Sequence, residues 1–229
     1  MNILSKLFLA FSTFLGGVYF QQALPCNCLT QAQKDVLNTL QVVYLDDCNG
    51  TPTYKTLRVK DANLQVVNGT GSTSSINGLG NVIVGYNEHA GSCQDISGSH
   101  NLVIGTNHNY SSFAGVVTGD ENFIDASYAV CLGGAGNIVD DNLGVVVGGS
   151  QNLTSGDSGV IVGGFENTIN TSFGVVVGGE DNVASGNHAV VTGGQNNSAG
   201  GNYSVVSGGD ARTALSDHDW VAGSLFEDN

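Results

Sequence analysis

Positively charged residues are scarce in this sequence. The 229 residues include six Lys and Arg against 20 Asp and Glu, which leaves a net charge of −14. Proteins that bind nucleic acid neutralise its phosphates with Lys and Arg, so this balance argues against a nucleic acid partner and against docking on anionic lipid. Charged residues of both signs make up 11% of the chain and hydrophobic residues 41%, which is the composition of a folded protein rather than a disordered tail.

The N-terminal apolar run is too short to cross a bilayer. Lys6 is followed by Leu7–Phe20, whereas a membrane-spanning helix needs about 20 apolar residues. A basic residue before a short apolar run predicts a secretory signal peptide, with cleavage near Ala23. We therefore expect residues 1–23 to be a signal peptide, the mature protein to be secreted or held at a cell surface, and no segment to insert into a membrane. The alternative is an uncleaved hydrophobic helix.

The chain has five cysteines, which is an odd number. Cysteines suit the oxidising environment of a secreted protein, but at least one of five has no partner within the chain. Cys131 falls in a column of Val and Ile in the repeats described below, so we expect it to be a buried hydrophobic residue. The pair Cys26 and Cys28 could bind a metal, but no second pair follows at ligand spacing. Disulfides within or between chains are the favoured use of the remaining cysteines, which are Cys26, Cys28, Cys48 and Cys93.

Glycine, by contrast, is abundant and periodic, with 34 residues in the chain. The stretch GVVVGG at Gly144–Gly149 returns at Gly174–Gly179, with GVIVGG between them. The second glycine of each pair recurs at every fifteenth position, at Gly134, Gly149, Gly164, Gly179, Gly194 and Gly209. A fixed step of this length is the signature of a repeat architecture. Two adjacent glycines mark a corner of each repeat, because glycine reaches φ > 0 without a Cβ clash.

Residues 24–75 lie between the predicted signal peptide and the repeats. Thr30 and Gln33 form a capping-box pattern, and apolar residues follow at helical spacing, so the sequence predicts a short amphipathic helix over Leu29–Tyr44. After the turn DDCNGTP, the alternation in YKTLRVKDANLQVVNG predicts strands, and GTGSTSS is typical of a linker. We expect the repeat array to occupy residues 76–224, beginning at NGLGNVIVGYNE, with residues 225–229 as a tail.

One column of the aligned repeats contains only asparagine. Its members are Asn122, Asn137, Asn152, Asn167, Asn182 and Asn197. When the coils of a solenoid stack about 4.8 Å apart, equal positions lie above one another, so each amide can donate to one neighbouring coil and accept from the other. The column therefore predicts a structural ladder. A turn asparagine with φ > 0 explains any single member as well, and the two interpretations are compatible.

Three further columns are apolar and carry the strand of each repeat. The first contains Val145, Val160 and Val175, the second contains Cys131, Val146, Ile161, Val176 and Val191, and the third contains Val147, Val162 and Val177. Successive strand residues point to opposite faces, so both faces of the strand are apolar. One face fills the interior of the coil, and we expect copies of the same chain to cover the other, because an apolar stripe along a rod would otherwise aggregate. The second column is a candidate for this interface.

The repeat units resemble the head repeats of trimeric autotransporter adhesins, in which units of the form S-V-A-I-G are each followed by a turn. The matching units run from Asn101–Gly105 to Ala189–Gly193 and Ser204–Gly208. The resemblance covers residues 77–224 and implies a left-handed parallel β-roll, three of which build a trimer. We do not expect the coiled-coil stalk and membrane β-barrel of those adhesins, so their surface attachment is not implied.

A second resemblance is to a group of secreted proteins with VSGG…N repeats. The similar segments are Asn81–Glu88, Gly98–Gly105, Ser111–Val117 and Asp217–Asp228. Other repeat families fit less well. The stretch GGAGNIVDD at Gly133–Asp141 imitates one calcium-binding repeat that its neighbours do not continue, and hexapeptide acyltransferases have a period that is a multiple of six. Ice-binding solenoids align their threonines in one plane, which is not seen here.

The sequence contains no arrangement of residues that is typical of a catalytic site. We find no Ser/His/Asp arrangement, paired carboxylates or phosphate-binding loop. His188 and His218 share a column with Tyr128, Phe173 and Tyr203, and we expect this column to be a row of corner residues. The sequence therefore predicts no enzyme activity, no cofactor and no metal.

The period is interrupted once, because Gly85 and Gly105 are 20 residues apart. A loop must bulge over Tyr86–His100. Its chemically mixed residues are Tyr86, His89, Asp95 and His100, and they are the candidate binding site of the array. The alternative is a structural loop that is pinned by Cys93.

Seven Asn-X-Ser/Thr sequons fit an exported protein whose host glycosylates. They begin at Asn49, Asn68, Asn109, Asn152, Asn170, Asn196 and Asn202. Repeats rich in asparagine also create sequons by chance, and Asn152 would be a poor acceptor because it belongs to the predicted ladder.

The sequence thus predicts an all-β protein, a parallel β-solenoid of about nine ~15-residue coils in a rod near 40 Å long, preceded by a short helix. The predicted function is that of an extracellular, non-enzymatic structural or adhesive protein, a homotrimeric rod or fibre. The alternative is a secreted carbohydrate-binding module that uses the 86–100 loop or the acidic surface. The expected partner is the chain itself, with a cell-surface or glycan ligand.

Overall fold

In a computed structural model of the chain, residues 30–46, 52–88 and 94–223 are described. The predicted signal peptide and the predicted tail at residues 225–229 lie outside the described residues. The chain divides into two compact units, residues 1–64 and residues 65–229. The first unit contains a helix and a hairpin, and the second contains a parallel β-solenoid.

Helix α1 spans Gln31–Thr39 and begins with the predicted capping box. The backbone N of Gln33 donates to Oγ1 of Thr30 at 3.3 Å, and the backbone N of Thr30 donates to Oε1 of Gln33 at 2.8 Å. Strand β1 (Leu40–Asp46) follows directly and pairs antiparallel with β2 (Pro52–Val59). The predicted extension of the helix to Tyr44 is wrong, because the pairing of β1 with β2 outweighs the helical spacing of its apolar residues. The strands predicted beyond Val59 do not form.

The solenoid consists of two parallel sheets that share one core. The first sheet contains, in order, β3 (Val82–Val84), β4 (Leu102–Thr106), β6 (Val116–Asp120), β8 (Val130–Leu132), β10 (Val145–Val147), β12 (Val160–Val162), β14 (Val175–Val176), β16 (Val190–Val191), β18 (Val205–Ser207) and β20 (Trp220–Ala222). The second contains β5 (Asn109–Tyr110), β7 (Phe123–Ile124), β9 (Ile138–Val139), β11 (Leu153–Thr154), β13 (Thr168–Ile169), β15 (Val183–Ala184), β17 (Ser198–Ala199) and β19 (Thr213–Ala214).

Each strand inside the two sheets pairs with the strands one repeat before and one repeat after it. Val145 lies between Val130 and Val160 in parallel register, so each sequence repeat forms one coil. The predicted parallel β-solenoid is confirmed. The eight strands of the second sheet define about eight turns, one fewer than expected. Val82 pairs with Leu102, which places the predicted interruption of the period between β3 and β4.

The strands of the first sheet share one burial pattern. Val146, Ile161 and Val176 of the second column are fully buried inside the coil, where the core also contains Val139 and Ile169 of the second sheet. The first and third columns point outward. The second column is therefore interior, and its candidacy for the interface between subunits is wrong. A strand of three residues offers the narrow coil only one inward position, and the middle residue occupies it.

The paired glycines form the corner after each strand of the first sheet from β8 to β18, and the two members serve different purposes. Gly148 and Gly149 both have positive φ, at 70° and 79°. A Cβ on Gly148 would meet open space, so only its conformation favours glycine. A Cβ on Gly149 would collide with the backbone O of Gly164 and with Nδ2 of Asn152. The second glycine of each pair therefore allows adjacent coils to approach.

Candidate functional site

The asparagine column forms a continuous series of hydrogen bonds through the interior of the solenoid. The backbone N and Nδ2 of Asn167 both donate to Oδ1 of Asn152, at 3.0 and 3.1 Å. Oδ1 of Asn167 accepts from the backbone N and Nδ2 of Asn182, both at 3.1 Å. Nδ2 of Asn167 also donates to the corner carbonyl of Gly179 at 3.0 Å. Because these amides are buried, each bond contributes about 0.5–1.5 kcal/mol net to stability.

The residue before each asparagine of the column adopts the left-handed backbone conformation, with φ > 0. Gln151, Glu166 and Asp181 have φ values of 57°, 54° and 54°, and none of the six asparagines has positive φ. The turn-asparagine interpretation therefore does not explain the column. What its members share is side-chain hydrogen bonding between coils.

The ladder extends beyond the six asparagines at both ends. Oδ1 of Asn87 accepts from the backbone N of His108 at 3.3 Å, and His108 is fully buried. Its Nδ1 accepts from the backbone N of Asn122 at 3.3 Å. Its Nε2 lies 3.1 Å from the backbone O of Ile104 and must carry the proton that this bond requires. At the other end, Oδ1 of Asn197 accepts from the backbone N of Arg212 at 2.9 Å.

Alignment of the sequence in 15-residue repeats did not place Asn87 and His108 in the asparagine column, because the first coils are not 15 residues long. Leu102 pairs with Val116 and Val116 pairs with Val130, so each of these coils is one residue shorter than the later ones. The signal that could have identified His108 is its position four residues after Ile104, which matches the position of Asn122 four residues after Thr118. An imidazole with one donor and one acceptor nitrogen thus replaces the carboxamide at this level.

The corner column of rings forms a stack on the surface. The rings of Phe173 and His188 lie 4.7 Å apart and within 5° of parallel, and those of His188 and Tyr203 lie 4.9 Å apart at 5°. The rings of Tyr203 and His218 follow at 5.3 Å and 12°. Each ring covers part of the face of its neighbour, so the two histidines are separated by Tyr203 and do not converge on a common ligand. The stack gives this column a structural role at the corner.

The predicted binding loop does not form one convergent site among its described residues. Tyr86 is 92% exposed. The nitrogens of His100 are engaged, because Nδ1 lies 3.0 Å from the O of Thr73 and Nε2 accepts from the N of Asn68 at 3.2 Å. Oδ1 of Asp95 accepts from the N of Ser97 at 3.0 Å, and hydrogen bonds from Ser97 lower the pKa of that carboxyl. His89 and Cys93 lie outside the described residues.

The segment Gly133–Asp141, which resembles one calcium-binding repeat, ends at Asp141, and the side chain of Asp141 is buried in the core. Asp141 is only 3% exposed. Oγ1 of Thr154 donates to Oδ1 of Asp141 at 2.6 Å, and the N of Gly159 donates to Oδ2 at 2.9 Å. Burial raises the pKa of the Asp141 carboxyl above its usual value of 3.8, although both hydrogen bonds oppose that shift. These contacts use both carboxylate oxygens within the protein.

Cys131 is buried in the second column, where the sequence predicted a hydrophobic residue. Burial raises the pKa of its thiol to about 12, so the reactive thiolate does not form at neutral pH. The four disulfide candidates, Cys26, Cys28, Cys48 and Cys93, lie outside the described residues.

The acidic surface includes a corner where three carboxylates meet in adjacent coils. Desolvation, followed by repulsion from Asp181 and Glu180, raises the pKa of Glu166. Within the part of the chain that the structure describes, no group of three or more His, Cys, Asp or Glu side chains could hold a metal ion.

The outer face of the first sheet is the most distinctive surface. It consists of the first and third columns from β4 to β18, which are Leu102, Ile104, Val116, Thr118, Val130, Leu132, Val145, Val147, Val160, Val162, Val175, Val177, Val190, Thr192, Val205 and Ser207. None of these residues is charged. We call this surface the valine stripe. Its eight strands make it about 34 Å long at ~4.8 Å per strand, and Val162 and Val177 in its centre are 43% and 44% exposed.

The outer face of the second sheet has a different composition. One of its two outward columns contains Phe123, Ile138, Leu153, Thr168 and Val183, which are half-buried. The other contains Asp125, Asp140, Ser155, Asn170 and Ser185, all exposed. Desolvation raises the pKa of Asp125, and repulsion from Asp140 adds to the effect. A sheet face that contacts water carries polar residues in this way. The valine stripe contains only Thr118, Thr192 and Ser207 as polar members and no charged residue, although it belongs to the same strongly acidic chain.

Comparison of the chain with protein-family models, with curated proteins and with solved structures found no match. None of the described helices is long and apolar enough to span a membrane.

Proposed function

We propose that this protein is an extracellular, non-enzymatic structural or adhesive rod that assembles as a homotrimer through the valine stripe. The observation that carries the proposal is an uncharged apolar face, about 34 Å long, on a chain with a net charge of −14. Large contiguous apolar patches on soluble proteins mark interaction sites. The number of subunits comes from the resemblance of the repeats to adhesin heads.

A second copy of the chain is the occupant that fits the stripe best. Copies of an acidic protein repel one another over most of their surface, but the stripe carries no charge and so adds no repulsion when it meets itself. A regular row of valines at equal spacing is also complementary in shape to an identical row. In a closed ring of three, each subunit contacts its two neighbours through two different surfaces, and the first and third columns of the stripe supply these when the stripe faces the symmetry axis.

The polar side chains that could act in catalysis form hydrogen bonds within the fold. His100 and His108 each use both ring nitrogens within the fold, and both oxygens of Asp141 accept hydrogen bonds. Catalysis would require a group that is both accessible and poised for proton transfer or attack. The contacts of these three residues therefore support a structural function.

A matched pair of substitutions tests the assembly. Val162→Asp places a carboxylate in the stripe, whereas Ser185→Asp places the same charge on the exposed outer face of the second sheet. We expect the wild-type protein and Ser185→Asp to sediment as trimers at micromolar concentration and Val162→Asp to sediment as a monomer with an unchanged β-sheet circular dichroism spectrum. A soluble wild-type monomer throughout that concentration range would refute the trimer.

A carbohydrate-binding module is the second candidate function, and the exposure of Tyr86 favours it. An exposed aromatic ring in a loop can stack on a sugar. A glycan array probed with the wild-type protein and with Tyr86→Ala tests this function. Binding that depends on Tyr86 supports it, and the absence of binding leaves the structural rod as the better proposal.

A further inference from the structure

We propose that Asn170, Asn196 and Asn202 carry N-linked glycans. The inference rests on the secretion that is part of the proposed function. Each of the three begins a sequon, and each is exposed. Among the described residues, the Nδ2 atom of none of them donates a hydrogen bond; Oδ1 of Asn202 alone has a partner, the N of Asn187 at 3.1 Å. A bulky glycan requires such a free, accessible amide.

Two other sequons lack an available amide. Nδ2 of Asn152 donates to Oδ1 of Asn137 at 2.9 Å and to the O of Gly164 at 3.1 Å, inside the ladder. Nδ2 of Asn68, which is 6% exposed, donates to the O of Ser75 at 2.6 Å. A glycan on either residue would have to displace these bonds and open the coil. Folded molecules must therefore be bare at Asn68 and Asn152.

The remaining sequons do not enter the proposal. Asn109 is half-buried, and its Oδ1 accepts from the N of Asp95 at 2.9 Å. Asn49 lies outside the described residues.

The three proposed acceptors avoid the valine stripe. Asn170 follows β13 on the outer face of the second sheet, Asn196 lies at a corner before Asn197 of the ladder, and Asn202 precedes Tyr203 of the ring stack. Glycans at these positions would cover polar surface and leave the stripe clear. Glycosylation and self-association through the stripe are therefore compatible in one molecule.

The reaction at each site is transfer of an oligosaccharide from a lipid pyrophosphate donor in the secretory pathway. Nδ2 of the asparagine attacks C1 of the first sugar, and the bond between C1 and the phosphate oxygen breaks. The new bond joins C1 to Nδ2, the amide loses one proton, and the lipid pyrophosphate leaves. No oxidant or reductant is needed.

Site mapping on secreted protein tests the proposal. The full chain with its own N-terminus is produced in insect cells, collected from the medium and treated with peptide N-glycosidase in heavy-oxygen water, which converts each glycosylated asparagine to labelled aspartate. We expect the label at Asn170, Asn196 and Asn202 in most molecules, and none at Asn68 or Asn152. Secreted protein that is bare at the first three, or labelled at Asn152, would overturn the proposal.

Matched variants assign the glycans to their residues. Asn170→Gln and Asn202→Gln should each lower the intact mass by one glycan. Asn196 has a φ of 56°, a conformation that Asn adopts more readily than Gln, so its sequon is removed through Ser198→Ala. Asn187→Gln, an exposed asparagine outside any sequon, should leave the mass of the glycans unchanged. An unchanged glycan mass in the three sequon variants would contradict the assignment.

Retention of the chain inside the cells would contradict secretion rather than the glycan sites. A second version with the leader of a known secreted protein then separates the two. Glycans at the three sites on that version would uphold the present inference and count against the predicted signal peptide. Bare sites on that version would overturn the inference itself.

Discussion

Val176 and Val177 are consecutive in the chain and lie on opposite sides of the first sheet. Val176 is fully buried in the core, whereas Val177 is 44% exposed in the valine stripe. Both lie in the same stack of coils, since Val176 pairs with Val191 and the N of Val177 donates to the O of Val191 at 2.8 Å. Substitutions at these two residues therefore test the stability of the coil separately from the proposed association of copies.

Aspartate at these two positions should have different consequences. Val176→Asp buries an unpaired carboxylate, which costs several kcal/mol, so we expect loss of the β-sheet circular dichroism signal. Val177→Asp should keep that signal, because its carboxylate can reach water, and should lose only the proposed assembly through the valine stripe. Equal loss of the signal in both variants would contradict the inward and outward assignment of the columns.

The ladder predicts a large difference between two neighbouring polar residues. Asn167→Ala removes the acceptor of the backbone N of Asn182, and leaving this buried group unpaired costs about 1–3 kcal/mol. Nδ2 of Asn182 keeps its bond to the O of Gly194. Gln151→Ala alters an exposed side chain and should change stability by less than about 0.5 kcal/mol. Chemical denaturation of both variants measures the difference. Equal midpoints would show that the ladder does not contribute to stability.

His108 should be replaceable by the residue that the rest of the ladder uses. His108→Asn offers an acceptor to the N of Asn122 and a donor to the O of Ile104, so we expect a melting temperature close to that of the wild type. His108→Ala leaves the backbone N of Asn122 without its acceptor and creates a cavity, at a cost of about 2–5 kcal/mol. Nitrogen NMR of the wild type should show a protonated Nε2 and an unprotonated Nδ1. The opposite tautomer would contradict the hydrogen bond from Asn122.

The two glycines of one corner should tolerate alanine unequally. Gly148→Ala introduces a Cβ into open space at positive φ, which costs about 1–2 kcal/mol. Gly149→Ala carries a similar conformational cost and also forces the Cβ against the next coil, for which overpacking adds about 1–3 kcal/mol. Thermal unfolding should therefore place Gly149→Ala clearly below Gly148→Ala. A reversed order would argue against close approach of the coils at Gly149.

The buried carboxyl of Asp141 should make the stability of the solenoid depend on pH. Its pKa is raised in the folded state, so its contribution to stability is fully present below the unfolded pKa and is lost as the pH rises through the folded pKa. We expect Asp141→Asn to be more stable than the wild type at pH 7. This difference in the free energy of unfolding should shrink as the pH falls toward 3.8, the usual value. A difference that is independent of pH would show that the carboxyl does not titrate differently on folding.

The sequence by itself determined the stacking of the coils from Val130 onward. A constant repeat length places equal positions above one another, so the pairing of Val145 with Val160 and the contact of Asn152 with Asn167 follow from alignment alone. Such neighbours are related by a single translation, and no long-range packing has to be known. The same reasoning failed before Val130, where coils of other lengths moved His108 and Asn87 out of the column.

Only the tertiary structure decided which side of each strand faces inward. Val175, Val176 and Val177 are chemically identical, so a period of two cannot distinguish the core column from its two neighbours. The second sheet settles the matter, because Ile169 and its equivalents fill the other half of the core. It also decided that α1 ends at Thr39, since β2 pairs with the residues that follow. Both outcomes depend on segments distant in sequence, whose positions no local pattern contains.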